Sequence, residues 1–243
     1  MRMLTFAKRC AREILRDPLN LMFGLGFPVV LLLLLSAIQA NIPVALFEIE
    51  RLAPGIAVFG LSFMTLFSAT LIARDRESAL LQRLYTTPLQ PADYILGYIL
   101  PLIPIAAAQG CVCYLVAMAL GLPLTIHIAY AVLMILPIAV FYVSLGLLCG
   151  SILNVKQVGG ICGALLTNLS AWLSGVWFDL DLVGGAFGRI ARVLPFVHAV
   201  ELERALVSGS FADAWPHLPI ILGYAAIVTA GAALLFLRQM NRQ

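Results

Sequence analysis

Long apolar runs without charged residues constrain this chain more than any other feature. None of its 15 basic and 12 acidic side chains falls within six such runs. Each run is long enough to cross the roughly 30 Å hydrocarbon core of a bilayer as a helix. The predicted spans cover about 19–40, 53–73, 94–120, 126–152, 158–178 and 216–237. The sequence therefore predicts an all-α membrane protein with six transmembrane helices.

Composition excludes a water-soluble domain. Hydrophobic residues make up 62% of the 243 residues and charged residues 11%, whereas soluble domains are about 25% charged. Little chain remains outside the spans, so residues 1–243 are predicted to form a single transmembrane domain. The polar segments are 1–17, 74–93 and 179–215.

The basic residues are distributed unevenly between the two faces of the predicted membrane domain. Eleven Lys and Arg lie on the face that carries both chain ends, and four lie on the opposite face. The positive-inside rule then places both termini in the cytoplasm. The positive excess faces the membrane surface and its lipids, so no nucleic-acid partner is predicted.

Residues 1–17 form an amphipathic pattern. At 100° per residue, apolar side chains from Met3 to Leu15 occupy one arc and charged side chains occupy the rest, with Phe6 off the pattern. Such a helix is expected to lie in the membrane interface with its apolar face against lipid.

The segment between the second and third spans joins a charged cluster to a leucine-rich helical pattern. Arg74-Asp75-Arg76-Glu77 comes first, and Pro88 and Pro91 end the predicted helix. Four large apolar side chains share one face of that helix: Leu80, Leu81, Leu84 and Tyr85. An exposed apolar face is typical of a site for a protein partner. A short loop with its charges at the headgroups is the alternative interpretation.

These residues resemble the permease subunits of ABC-2 type exporters. The family combines an acidic and basic cluster after the second span, a leucine-x-arginine-leucine helix, threonine-proline, and a tyrosine-x-x-glycine start to the third span. The matching stretches are Arg74-Asp75-Arg76-Glu77, Leu81-Gln82-Arg83-Leu84, Thr87-Pro88 and Tyr94-Ile95-Leu96-Gly97. The family often has glycine-threonine where this chain has Ser78-Ala79. The resemblance extends over most of the chain, including an outer motif that begins at Leu194-Pro195.

The resemblance implies a subunit that is not an enzyme by itself. In the family, two permease subunits, here expected to be identical, assemble with two ATPase subunits that bind ATP and Mg²⁺. This chain has no GxxxxGK[ST] loop for ATP phosphates, and no cofactor is predicted for it. A short cytoplasmic coupling helix from Arg76 to Thr86 is expected to dock into each ATPase, at the inner membrane of a bacterium. The residues assigned to this contact are Asp75, Arg76, Glu77, Leu80, Leu81, Arg83, Leu84, Tyr85, Thr87 and Pro88.

Uncharged polar side chains in the second and fifth spans indicate a substrate path. Helix packing would by itself explain any single hydroxyl among them. The resemblance places these two spans along the path between the permease subunits. The predicted path residues are Phe59, Ser62, Phe63, Thr65, Ser68, Thr167, Asn168, Ser170, Trp172 and Ser174.

Glycines and prolines predict local features of the spans. The pairs Gly146-x-x-x-Gly150 and Gly159-x-x-x-Gly163 favour close packing of the fourth and fifth spans. Kinks are expected at Pro28 in the first span and at Pro101 and Pro104 in the third. Two short segments before the last span, 184–193 and 199–207, are expected to be external re-entrant or surface helices.

The predicted cargo is an amphipathic small molecule, drug or peptide, as in multidrug export. A lipid-linked sugar, polysaccharide or glycolipid is the alternative cargo. Alternatives of other classes are a secondary carrier, an intramembrane enzyme, and a non-transporting membrane scaffold or immunity protein. Carriers and intramembrane enzymes generally need ionisable residues at membrane depth, and the predicted spans contain no Asp, Glu, Lys or Arg. No catalytic residue or metal ligand is predicted, and Cys111 and Cys113 are interpreted as packing residues.

Overall fold

The protein is a bundle of helices. The computed structural model describes residues 2–42, 44–78 and 91–240. Every regular element in these ranges is helical, and several helices have the length and hydropathy of membrane spans. The predicted all-α membrane fold is therefore confirmed.

Fourteen α-helices occur in the described ranges. In chain order they are α1 (Arg2–Leu15), α2 (Pro18–Leu21), α3 (Phe27–Asn41), α4 (Ile49–Glu77), α5 (Pro91–Ile99), α6 (Leu102–Ala119), α7 (Ile126–Ile152), α8 (Val155–Val158), α9 (Thr167–Leu173), α10 (Leu180–Val183), α11 (Gly185–Val193), α12 (Pro195–Val207), α13 (Phe211–Ala214) and α14 (His217–Met240). Wider π-helical turns lead into α3 at Met22–Gly26 and into α9 at Gly159–Leu166, and a 3₁₀ turn covers Ala45–Phe47.

Within the described ranges, five stretches are long and apolar enough to cross a membrane. They are Met22–Asn41, Ile49–Glu77, Ala92–Ala119, Ile126–Ile152 and Phe211–Arg238, which correspond to the first, second, third, fourth and sixth predicted spans. The fifth predicted span, 158–178, overlaps a helical run over residues 155–173 made of α8, a π turn and α9. Its crossing of the membrane, and hence the count of six, stays a prediction.

The third span is interrupted at Pro101, one of the two prolines predicted to kink it. Helix α5 ends at Ile99 and α6 begins at Leu102, so Pro101 lies in the break. Proline has no backbone N–H and its ring crowds the preceding turn, which explains the interruption.

Helix α4 forms the buried centre of the bundle, and α7 packs along it. Gly146 and Gly150 permit the close approach: a Cβ atom at Gly150 would lie 2.6 Å from the carbonyl oxygen of Ala69. The predicted close packing at this glycine pair therefore brings the fourth span against the second.

Helix α1 has the predicted position in the chain but a different environment. Its Phe6, Cys10 and Ile14 side chains are buried, and the Phe6 ring meets the rings of Tyr94 and Tyr98 edge-on at centroid distances of 5.8 and 5.0 Å. Helix α1 packs against α5 through Phe6, which lies beside the predicted apolar arc, and the burial of Cys10 and Ile14 shows that part of the arc itself faces the protein. Leu4 and Leu15 remain exposed.

Helices α11 and α12 correspond to the two short helices predicted before the last span. Helix α12 packs against α4, α7 and α14, and its first residue is Pro195, a position that suits proline. The Glu203 side chain of α12 is fully buried and accepts a hydrogen bond from the Tyr114 hydroxyl of α6, with 2.5 Å between the oxygens. Folding thus brings a carboxyl group from outside the predicted spans into the bundle.

Candidate functional site

A groove of about 670 Å³ opens among the first span, α4 and the helical run over residues 155–173. Most of its lining side chains are aromatic or aliphatic. They belong to Phe23, Phe27, Leu31, Phe59, Phe63, Leu66, Gly159, Gly163, Ala164, Thr167, Asn168, Ala171, Trp172 and Trp177. We call this cavity the aromatic groove.

The rings of the aromatic groove form one continuous wall. Phe59 and Phe63 are four residues apart and therefore share a face of α4. The Phe63 ring contacts Phe27 at a centroid distance of 5.7 Å, and the Phe59 ring contacts Trp177 at 5.8 Å. Trp172 is 49% exposed, so the wall can be reached from outside the bundle. It presents an apolar surface at the depth of the predicted spans.

Five predicted path residues line the aromatic groove: Phe59, Phe63, Thr167, Asn168 and Trp172. The two polar members are partly satisfied within their own helix. The Asn168 amide donates to the Ala164 carbonyl at 2.8 Å, and the Thr167 hydroxyl donates to the Cys162 carbonyl at 3.0 Å. The groove therefore offers few hydrogen-bonding groups to a bound molecule.

The other five predicted path residues are buried and lie outside the groove lining. They are Ser62, Thr65, Ser68, Ser170 and Ser174. The Thr65 hydroxyl donates to the Tyr142 carbonyl at 2.8 Å, and the Tyr142 and Ser170 hydroxyls lie 2.7 Å apart. These contacts join α4 and α9 to α7, which is the packing role that hydroxyl groups have between membrane helices.

Several residues of the groove were not predicted from the sequence. Phe23 and Phe27 repeat the four-residue aromatic spacing of Phe59 and Phe63, and this spacing was a usable signal. Gly159 and Gly163, predicted as a close-packing pair, also line the groove. A Cβ atom at Gly159 would meet nothing within 4 Å and one at Gly163 would lie 3.4 Å from the Leu66 side chain, so Gly159 borders open space and does not pack closely. Trp177 lies after the last turn of α9 and had no periodic signal.

A second group of predicted residues lies at the end of α4 that contacts α1. Asp75 is 1% exposed and accepts two hydrogen bonds from the Arg9 guanidinium, at 2.5 and 2.6 Å. The Tyr98 hydroxyl donates to the same carboxylate at 2.8 Å. Asp75, as hydrogen-bond acceptor and negative charge, raises the pKa of Arg9 above its usual value. The carboxylate thereby fixes α1 and α5 to the end of α4.

The next two residues hold the connection between α7 and α8. The Arg76 guanidinium donates to the carbonyl oxygens of Gly150 at 2.8 Å and Leu153 at 3.3 Å. Gly150 lies in the last turn of α7 and Leu153 directly follows the helix, at the end where helices leave carbonyl acceptors without a partner. Glu77 accepts a hydrogen bond from the Val155 backbone N–H at 2.9 Å. We call Asp75, Arg76 and Glu77 the junction.

Most of the predicted ATPase-contact residues follow the junction. Leu80, Leu81, Arg83, Leu84, Tyr85, Thr87 and Pro88 lie outside the described residues. Arg76 and Glu77 are the last two residues of α4. The remainder of the helix expected over Arg76 to Thr86 stays a prediction.

A comparison with known proteins shows the family of this chain. Residues 1–207 match the family described as the ABC-2 type transporter, and this chain therefore belongs to the ABC-2 type transporter family. It is a multi-pass membrane protein and the permease subunit of an ABC transporter, which works with a separate ABC ATPase subunit. The matched region runs from α1 through α12 and includes both the aromatic groove and the junction.

One curated relative is Nodulation protein J of Rhizobium meliloti (strain 1021). The two chains are 24% identical over 196 residues, which cover 81% of this chain and 73% of the relative. The relative supports the family assignment made above.

Proposed function

We propose that this permease exports an amphipathic molecule through the aromatic groove, driven by ATP hydrolysis in its partner. The groove is the observation that carries the proposal. Its volume of about 670 Å³ is in the usual range of pockets for small ligands. Its aromatic wall and few polar groups suit a molecule that enters from the lipid phase.

The groove favours a cargo with an extended apolar or ring-bearing part. Phe59, Phe63 and Trp172 can bury such a part, and aromatic rings contribute large contact areas at little conformational cost. An amphipathic drug or peptide is the first choice. A lipid-linked sugar or glycolipid is the alternative, because its acyl chain could occupy the same wall.

The junction is the proposed route from the ATPase to the groove. A helix over Arg76 to Thr86 would fit into the ATPase with Leu81, Leu84 and Tyr85. Any displacement of that helix would reach α4 first, because the junction is the end of α4. Helix α4 carries Phe59 and Phe63, so the same movement would change the groove.

The proposed assembly contains two copies of this permease and two ATPase subunits that bind ATP and Mg²⁺. The groove includes the first span and the helical run over residues 155–173, and a second copy facing them would complete a path. The complex would lie in the bacterial inner membrane with both permease termini in the cytoplasm.

The groove is tested by transport. In proteoliposomes containing the permease and its ATPase, Phe59→Ala combined with Trp172→Ala should lower ATP-driven efflux of a fluorescent amphipathic dye at least about tenfold, because two rings of the wall are removed. Trp215→Ala is the matched control, since Trp215 is 74% exposed and lies outside the groove. Equal efflux by the double variant and the control would exclude the groove as the path.

The docking surface is tested by copurification with a co-expressed ATPase. Leu84→Asp and Tyr85→Asp should abolish copurification, because a carboxylate buried in an apolar contact is strongly unfavourable. Unchanged recovery of the ATPase with both variants would show that this segment is not the docking surface.

A secondary carrier is the second candidate, and Glu203 is the observation that favours it. Its carboxyl group is buried against Tyr114, and buried carboxyl groups in membrane proteins often carry protons. Efflux driven by a proton gradient in proteoliposomes without ATPase, and lost in Glu203→Gln, would establish this candidate. ATP-dependent efflux that Glu203→Gln leaves unchanged would exclude it.

A further inference from the structure

A second cavity, of about 450 Å³, lies at the end of the bundle opposite the junction. The start of α4, the segment after α9, and helices α11, α12 and α14 contribute residues to it. We call it the outer cavity. Four arginines occur in the segments predicted to face outward, and three of them line this cavity: Arg51, Arg192 and Arg204.

The outer cavity has the opposite charge balance to the rest of its face. The predicted outer segments carry seven Asp and Glu against four Arg. The cavity lining carries three Arg against two acidic residues, Asp179 and Glu201. Positive charge is therefore concentrated in one concave place on an otherwise acidic face, which favours an anionic ligand.

Arg204 connects three parts of the outer cavity lining through its guanidinium group. Its guanidinium forms an ion pair with Glu201 at 2.9 Å. It also donates to the backbone carbonyls of Gly175 at 3.1 Å and Arg51 at 3.3 Å. These contacts join α12 to the start of α4 and to the segment after α9, and they neutralise Glu201.

Arg51 is the arginine available to a ligand. Its side chain is exposed, and within the described ranges its guanidinium has no hydrogen-bond or ion-pair partner. The hydrogen bond between Arg204 and Arg51 uses the backbone carbonyl of Arg51 as acceptor and leaves the Arg51 side chain uninvolved. A guanidinium whose N–H groups have no partner among the described residues can present its planar fork of donors to a phosphate or carboxylate group, whose geometry it matches.

Two histidines close another side of the outer cavity. The Nδ1 atoms of His198 and His217 lie 2.9 Å apart, and His198 Nε2 lies 2.9 Å from the Arg192 carbonyl oxygen. A carbonyl only accepts, so His198 Nε2 carries the hydrogen. In the neutral pair, His217 Nδ1 then donates to His198 Nδ1. These two hydrogen bonds orient the His198 ring on this side of the cavity.

One short segment of the chain, residues 175–179, contributes to the lining of both the outer cavity and the aromatic groove. Gly175 and Asp179 line the cavity, and Trp177 between them lines the groove. An amphipathic molecule could therefore keep its apolar part on the groove side of this segment and its polar part in the cavity.

We propose that the outer cavity is a binding site for an anionic headgroup, a phosphate or carboxylate carried by an amphipathic molecule, with Arg51 as its main contact. Cargo and anionic phospholipid both carry this chemistry. A cargo ligand would rest on the transport function proposed above, whereas binding itself requires no ATPase.

The test measures binding to the purified permease in a neutral detergent, without ATPase. The probes are dihexanoyl phosphatidylglycerol, the zwitterionic dihexanoyl phosphatidylcholine, and inorganic phosphate, each titrated while the melting temperature is followed. Arg51→Gln removes the charge without removing the backbone carbonyl that Arg204 uses, and Arg51→Glu reverses the charge. Arg189→Gln is the matched control, because it removes the fourth outer arginine, which lies outside the cavity. Melting temperatures without ligand report whether each variant folds.

We expect phosphatidylglycerol to raise the melting temperature while phosphatidylcholine does not. Arg51→Gln should weaken the apparent affinity about tenfold, Arg51→Glu should abolish binding, and Arg189→Gln should bind like the wild type. Equal responses to the two lipids, or wild-type binding by Arg51→Gln, would overturn the site. Binding of inorganic phosphate as tight as that of phosphatidylglycerol would overturn the headgroup assignment in favour of a free anion. The melting-temperature measurements depend neither on copurification of the ATPase nor on dye efflux. Failure of the transport proposal can therefore be distinguished from failure of the headgroup site.

Discussion

At the scale of single residues, Glu203 is held in an environment that disfavours its charge. Burial raises the pKa of Glu203 to about 8, although the hydrogen bond from Tyr114 acts in the opposite direction. The folded protein therefore keeps a proton on Glu203 at pH values where the unfolded chain has lost it. Between the unfolded pKa of about 4.3 and the folded value, the native state binds more protons, and stability falls as pH rises.

Glu203→Gln should remove this pH dependence. The amide keeps the shape of the carboxylic acid and stays neutral, so the variant should gain stability over the wild type as pH rises from 5 to 8. Melting temperatures in detergent across this range measure the effect. Glu50→Gln is the control, since Glu50 is exposed. Parallel pH profiles for wild type and Glu203→Gln would contradict the assignment of a neutral Glu203.

At the scale of secondary-structure elements, the α4–α7 contact depends on the absence of side chains. Gly150 lies against the backbone of Ala69, and its own carbonyl accepts from Arg76. The same turn of α7 thus provides both close packing and a link to the junction. Gly160 is a useful contrast, because a Cβ atom there would meet nothing within 4 Å.

Gly150→Ala should destabilise the protein by about 1–3 kcal/mol, because the added methyl group overlaps backbone atoms that cannot move aside easily. Gly160→Ala should be neutral or stabilising by up to about 1 kcal/mol, since alanine is the better helix former. Thermal unfolding of both variants measures the difference. Similar melting temperatures for the two variants would show that α4 and α7 are less tightly packed than described.

At the scale of the whole molecule, the junction connects parts of the chain that are far apart in sequence. Asp75 holds α1 and α5, while Arg76 and Glu77 hold the connection from α7 to α8. The residues that follow include the proposed ATPase contact. A movement of that contact would therefore reach several helices at once, which is what coupling of ATP hydrolysis to transport requires.

Arg76→Ala should uncouple the two activities. The ATPase should still copurify, because the apolar docking face is intact, but ATP-driven efflux should fall several-fold since the link to α7 is lost. Arg74→Ala is the matched control: Arg74 is exposed and pairs with Asp17 at 3.3 Å, and such a surface pair contributes little. Equal loss of efflux in both variants would indicate a general charge effect instead.

The class of fold and the family were predictable from the amino-acid sequence. Hydropathy, charge and the position of proline are local properties of the chain. They predict the spans, the charged cluster from Arg74 to Glu77 and the interruption at Pro101 without knowledge of any long-range contact. Which side chains meet depends on how the helices pack. This packing separated Phe59 and Trp172 in the groove from Thr65 and Ser170 in helix contacts, although all four are predicted path residues. It also buried Glu203 against Tyr114 and covered Phe6 with α5, because contacts between residues distant in sequence arise only when the helices pack.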